Sequence, residues 1–292
     1  MPADRSLFTR TAIVVLVIAV ALGGLALAAR YAFDRITATS PPPPGCQLGP
    51  AAYSTDLDPG QAGIASLIAG VAARRHLPEQ ALTIALATAM QESQLENLPY
   101  GDRDSLGVFQ QRPSQGWGTR AQIENPVYAT TRFFEALVQV PRYTKIPVDV
   151  AAQDVQHSAD GSAYGSQAYV AGLLAGYLTG KPAANIWQVT CWYTPATGQR
   201  ADVSAARKGL VQTFGPAGRD DVMVRDTTAS YDKILVEAQP RDRWTVAAWL
   251  VTHAQEYQIS NVRYAGYEWE AADGSMGWQR DPGPSSDTIV AG

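Results

Sequence analysis

Two short stretches hold the residues best suited to chemistry. Met90-Gln91-Glu92-Ser93 comes first, and a segment running from Tyr100-Gly101-Asp102-Arg103-Asp104 to Gly107-Val108-Phe109-Gln110-Gln111 follows it. Glu92 falls at the end of an apolar helical run, beside Ala89 and Met90. Tyr100, Leu106 and Phe109 come soon after and would roof it. A carboxyl so placed loses part of its water, and desolvation favours the protonated form. A proton kept near neutral pH is what general-acid cleavage of a glycosidic bond requires. On residue type alone, a glutamate at a helix end is more often structural or exposed. Ser93 reads as a hydrogen-bonding support for Glu92 at the sugar site. It lacks a histidine or lysine neighbour that would make it a nucleophile. Glu96, one turn further, reads as a surface charge.

Glu-Ser at a helix end, then a loop carrying Gly107-Val108-Phe109-Gln110, resembles the lysozyme-like lytic transglycosylases. Gly101-Asp102-Arg103 just before it is similar to the goose-type lysozymes. The resemblance covers roughly residues 60 to 180. It implies that Glu92 is the catalytic acid, that Gly107 to Gln110 build the cleft floor, and that peptidoglycan is the partner, with no cofactor. Glu92 would protonate the oxygen between N-acetylmuramic acid and N-acetylglucosamine. The same carboxylate would then take the proton of the muramyl 6-hydroxyl as a 1,6-anhydro ring closes. Simple hydrolysis usually takes a second carboxylate, whose separation from the first sets the stereochemistry. Asp102, by its match to the goose-type pattern, is the first choice for that role and Asp104 the next. Both also fit loop capping through bonds to backbone N–H groups. The family's Ala-Tyr-Asn stands here as Ala163-Tyr164-Gly165. Tyr164 would aim its phenol at the acid or the sugar, or else pack between helices. Glycan binding needs amides and flat rings, which Tyr100, Gln110, Gln111, Trp117 and Gln156 would supply. The alternative function is a catalytically inactive wall-binding or scaffolding protein of a secretion, conjugation or other envelope complex. The altered Ala-Tyr-Gly favours that alternative, and the retained Glu92 favours the enzyme.

The elements that must position these residues follow from periodicity. Ile64, Leu67, Ile68 and Val71 recur at helical steps, and Leu77-Pro78 ends that helix. Leu82, Ala85, Leu86 and Ala89 form the apolar stripe of the next, which leads to Glu92. Helices resume over 128–138, 148–158 and 166–178. The span after Glu96 has no sustained period and reads as a structured loop, with one short hairpin around Val108. Residues 244–257 read as an amphipathic helix, and 262–264 with 267–269 as strands around Ala265-Gly266.

Thr11 to Ala29 carries no charge over about 19 residues, enough to cross the roughly 30 Å core of a bilayer as a helix. Arg5 and Arg10 precede it and place the N-terminus in the cytoplasm, although Arg30 and Arg35 weaken that asymmetry. A cleaved signal peptide ending near Ala26-Leu27-Ala28 is the competing reading. Either way residues 50 onward lie outside the cytoplasm, where Cys46 and Cys191 would pair in a disulfide or remain two thiols.

The expected layout is a cytoplasmic N-terminus (1–10), a transmembrane helix (11–29) and a proline-rich linker (30–55). A mainly helical lysozyme-like domain with a long irregular active-site loop (56–180), a small α+β accessory domain (181–280) and a disordered tail (281–292) follow. A net charge of −4 with no long basic run argues against nucleic acid. His76, His157 and His253 lie far apart without paired cysteines or an HExxH spacing, so no metal is expected.

Overall fold

The computed structural model describes residues 16, 18–33, 42–50, 54–157, 162–180, 188–215, 223–226 and 233–292. The chain divides into two units, Met1–Pro43 and Pro44–Gly292. In the first, residues 18–33 form a helix (α1) whose large side chains, Leu22 and Leu25 among them, are exposed. The expected span 11–29 falls partly outside the described residues, and no helix among those is long and apolar enough to cross a membrane.

The fold is mixed α+β, about 52% helical, with two small antiparallel sheets. The first sheet corrects the linker expected over 30–55. Gly45–Leu48 (β1) lies between Thr55–Leu57 (β2) and Val189–Trp192 (β3). Cys46 and Leu48 alternate inward on β1, and that burial draws the segment into the core. Cys46 faces Cys191 across the β1–β3 ladder, and the two form a disulfide.

Helix α2 (Pro59–Arg74) starts with a capping box. Asp58 accepts from the Gln61 backbone, and the Gln61 side chain accepts from the Asp58 N–H. After it come α3 (Glu79–Ser93), α4 (Arg120–Ile123), α5 (Pro126–Leu137), α6 (Val148–Gln156) and α7 (Ser162–Thr179). Helix α3 is buried without a break from Ala81 to Ala89. The single stripe read from the sequence underestimates it, because α2, α5, α6 and α7 pack around its whole circumference. Four alanines let those neighbours approach. Thr83 and Thr88 return their hydroxyls to the carbonyls of Glu79 and Ile84, so neither introduces an unpaired buried donor.

The C-terminal part shares this core. Helices α8 (Val203–Phe214), α9 (Arg243–Thr252) and α10 (Ala254–Tyr257) belong to the same unit, and α9 packs on α2. Ser66 of α2 and Thr252 of α9 are hydroxyl partners at 2.6 Å in the interior. The indoles of Trp269 and Trp278 donate to the Cys191 and Val189 carbonyls, and that of Trp244 to Tyr177. The boundary expected at residue 180 therefore does not separate two cores.

The expected tail is also corrected. Ile289–Ala291 (β9) is an interior strand of the second sheet, between Ile234–Glu237 (β5) and Asn261–Tyr264 (β6). That sheet continues with Met223–Asp226 (β4) beyond β5, and with Tyr267–Glu270 (β7) and Gln279–Arg280 (β8) beyond β6. Ile289 and Ala291 are fully buried, and two apolar residues at alternate positions suffice here for a central strand of three residues.

Two stability measurements follow. The disulfide closes a long loop, with its cysteines 145 positions apart. Replacing both cysteines by alanine lowers unfolding free energy by about 2–5 kcal/mol, read from urea denaturation. His253 lies in the interior, and burial lowers its pKa from 6.5 to about 4. Below pH 6.5 the unfolded chain takes up this proton while the folded chain resists it, so acid favours unfolding. The contribution is complete above about pH 6.5 and is lost progressively as pH falls toward 4, by roughly 3 kcal/mol in all. A His253→Asn variant lacks that component of the pH dependence, measured as unfolding free energy at stepped pH against the parent chain.

Candidate functional site

Glu92 occupies the last turn of α3. The helix stops directly after Ser93, where Gln94 and Leu95 take φ of 56° and 64°. Their N–H groups bond the carbonyls of Met90 and Ala89 at 3.1 and 3.2 Å, which caps the end and turns the chain back. Gln61 of α2 donates to the Gln94 carbonyl at 3.0 Å and ties the cap to a second helix.

The irregular segment then folds over this helix end. Leu106 and Gln111 exchange backbone hydrogen bonds at 3.1 and 3.0 Å, closing a tight turn over residues 107–110. Gly107 must be glycine: its φ is 78°, and a Cβ there would sit 2.8 Å from the Ile123 carbonyl oxygen. Gly101 is needed for a different reason, since a Cβ would overlap the Gln110 amide and the Ser105 hydroxyl. Ser93 fastens the turn to the helix by donating to the Val108 carbonyl at 2.8 Å. Phe109 is fully buried, with its ring stacked on Phe133 at a centroid distance of 4.4 Å.

Three elements converge on the Glu92 carboxylate. The Tyr164 hydroxyl, from the first turn of α7, donates to Oε1 at 2.6 Å. The Gln156 amide, from the last residue of α6, donates to the same oxygen at 3.1 Å and to the Phe109 carbonyl at 2.8 Å. No hydrogen bond from a described residue reaches Oε2. The two oxygens are therefore inequivalent. Oε1 is saturated by groups that donate, and Oε2 is the one able to exchange a proton with a ligand. The carboxyl is half-buried, neither sealed in the core nor standing free in water.

Of the residues singled out from the sequence, Tyr164 meets Glu92 directly. Gly165 in place of the family's asparagine does not prevent this; it packs beside Asp149, where a Cβ would find ordinary contact at 3.5 Å. Four other assignments are corrected. Ser93 is buried and bonds the Ala89 and Val108 carbonyls, so it offers nothing to a sugar. Gln110 is used inside the loop, accepting from Ser105 and donating to the Tyr100 and Gly107 carbonyls. Gln111 is 1% exposed and donates to the Ala129 carbonyl. Asp102 points its side chain into solvent beside Arg103, at 3.7 Å, and is not drawn into a site.

Asp104 is the loop-capping residue. It bonds the Arg112 guanidinium at 2.7 Å and accepts from the Ser114 backbone and hydroxyl at 2.8 and 3.0 Å. The Arg112 hydrogen bond first, then the two from Ser114, hold its carboxyl far below the usual range. Tyr100 is exposed. Trp117 is half-buried in the wall of a groove of about 580 Å³ together with Arg132, Glu135 and His157.

Gln156 has a role that sequence reasoning missed. It was legible as an amide that would meet a sugar, whereas it holds the acid and the loop together. No local signal announces this, since its partners lie 64 and 47 positions away. Among the described residues no cluster of histidine, cysteine, aspartate and glutamate could hold a metal ion. No protein-family model matches the chain, and a search of curated proteins finds no significant match.

The bond from Ser93 to Val108 predicts a stability effect. Ser93→Ala leaves a buried carbonyl with one fewer donor, and urea unfolding falls by about 1–3 kcal/mol.

Proposed function

We propose that the chain cleaves peptidoglycan glycan strands between N-acetylmuramic acid and N-acetylglucosamine, by lytic transglycosylation with Glu92 as acid and then base. The observation that carries this reading is the inequivalent carboxylate. Tyr164 and Gln156 fix Oε1, and Oε2 is left to act at the glycosidic oxygen. Protonation by Oε2 releases the leaving sugar. The resulting carboxylate then accepts the proton of the muramyl 6-hydroxyl as its oxygen bonds the anomeric carbon. One proton enters and one leaves the same atom, so no second carboxylate is required. The solvent-facing side chain of Asp102 and the hydrogen-bonded loop role of Asp104 favour this over a hydrolysis that needs a partner acid. Tyr100 and the Trp117 groove supply flat faces for sugar rings. Tethering at a membrane through residues 11–29, with the second unit outside the cytoplasm, belongs to the same proposal. It is supported by the uncharged sequence and by the exposed apolar side chains of α1.

Mass analysis of muropeptides released from purified peptidoglycan tests the reaction. Anhydromuramyl ends are the expected product. Reducing ends would show hydrolysis instead, and binding without products would show an inactive scaffold. Glu92→Gln lowers turnover by about 10²- to 10⁴-fold, the scale of general acid–base catalysis. Gln156→Ala, which releases the carboxylate from the loop, lowers kcat by about ten- to a hundredfold and leaves KM nearly unchanged.

A further inference from the structure

A cavity of about 550 Å³ opens where the first turns of α2 and α5 meet α8, α9 and α10. None of Glu92, Gln156 and Tyr164 lines it. Its volume falls in the range of small-molecule sites, roughly 300–1,000 Å³. His253, at the junction of α9 and α10, forms part of the wall and is only 7% exposed. Its ring stacks on Trp249 at 4.0 Å between centroids, and the Tyr257 ring lies alongside both, 6.0 Å from the imidazole and 5.8 Å from the indole.

The hydrogen bonding of this ring is lopsided. Nδ1 lies 2.9 Å from the Trp249 carbonyl, a pure acceptor, so Nδ1 carries the proton. Nε2 is then an acceptor itself, and no described residue donates to it. Gly63 of α2, also in the cavity wall, faces this nitrogen; a Cβ there would lie 3.5 Å from it. Burial keeps the imidazole neutral in the ordinary pH range, so protonation does not remove the unused lone pair. The lone pair of a side chain that is otherwise only 7% exposed is thus open to a donor from whatever occupies the cavity.

The rest of the wall narrows the chemistry of that occupant. Ile64, Leu67 and Val127 line the same cavity with hydrocarbon, Gln212 and Gln255 bring amides, and Glu256 brings an exposed carboxylate. The cavity thus asks for an N–H donor joined to a small apolar group, with hydroxyls further out. An acetamido sugar has this pattern. A free ammonium fits less well, because the imidazole is neutral and the one acidic side chain among the described lining residues, Glu256, is exposed to solvent.

We infer that this cavity binds an acetamido-bearing sugar, whose amide N–H is donated to His253 Nε2 while its methyl group lies against Ile64, Leu67 and Val127. The choice of sugar rests on the glycan reading of the Glu92 site, and the cavity adds a second hold on the strand away from the cut. A strand gripped there stays with the protein after cleavage, which favours successive cuts on one strand.

The test is an NMR titration of the full-length chain carrying ¹⁵N-labelled histidine rings. N,N′-diacetylchitobiose is expected to shift the His253 Nε2 resonance to saturation. Cellobiose, with hydroxyls in place of acetamido groups, is expected to leave it unmoved. Ile64→Trp, which fills the cavity, is expected to abolish the shift, its fold being checked by an unchanged Trp249–His253 ring-current pattern. Glu92→Gln is expected to keep the full shift. A resonance unmoved by diacetylchitobiose would mean a cavity holding only water and would overturn the proposal. An equal response to cellobiose, or loss of the shift in Glu92→Gln, would overturn it as well. If Glu92→Gln still released muropeptides, the catalytic reading would fall on its own, and the titration would decide the cavity independently.

Discussion

The site depends on a single contact, the phenol of Tyr164 on one oxygen of Glu92 at 2.6 Å. For it to form, the end of α3, the end of α6 and the start of α7 must meet within a few ångströms. Long-range packing sets that geometry. Helix α3 is buried all round, its alanines admit α6 and α7 closely, and the left-handed cap at Gln94 ends it just after Glu92. An additional turn of helix would carry the chain past the point where α6 and α7 converge. The carboxyl thus gains an orientation that no rotamer preference of a surface glutamate would provide.

The loop following α3 is rigid by construction. Ser93 joins it to the helix, Gln156 joins it to the acid, and Asp104 locks its far side through Arg112 and Ser114. The internal polar groups are mostly spent on one another, which explains why Gln110 and Gln111 are poor sugar ligands despite their type. Their amides replace the backbone ladder that an irregular segment lacks. Under the proposed reaction, a substrate would meet the groups the loop does not consume, chiefly Glu92 Oε2, Tyr100 and the face of Trp117. Preorganisation of this kind matters because a carboxyl that has to reorient before each proton transfer loses rate at every turnover.

The legible part of this molecule lies where one helix or one hairpin carries the whole signal. The helical steps from Ile64 to Val71 and the strands around Ala265-Gly266 are local patterns, and they form where the sequence places them. Glu92 stood out through the resemblance carried by Glu-Ser and the Gly-x-x-Gln loop after it, since a glutamate at a helix end reads by itself as structural or exposed. The role of Gln156 was not legible, because its partners come from other elements. Ile289–Ala291 has only three residues between glycine, proline and serine on one side and the chain end on the other, so it reads as tail. It becomes a central strand because β5 and β6 each leave an edge that it completes. Gly45–Leu48 is similar: proline precedes it, and only pairing with β2 and β3 gives the alternation of Cys46 and Leu48 a meaning. Non-local pairing leaves little trace in the short strand that receives it.

The same non-local pairings bear on the site. The Cys46–Cys191 bond joins the first strand of the second unit to a strand that follows α7, so it encloses α3, α6 and α7, the helices that carry Glu92 and its partners, within one covalent loop. Trp269 and Trp278 then dock the C-terminal sheet onto β3 through the Cys191 and Val189 carbonyls, and α9 packs on α2 from the same side. Helix α2 is in turn the helix whose Gln61 holds the cap of α3. The C-terminal residues therefore reach the carboxylate through two steps of packing, α9 to α2 and α2 to the end of α3. A separate accessory domain would have no such path. Sharing one core makes the end of the helix that carries Glu92 lean, through α2, on a helix more than 140 positions further along the chain.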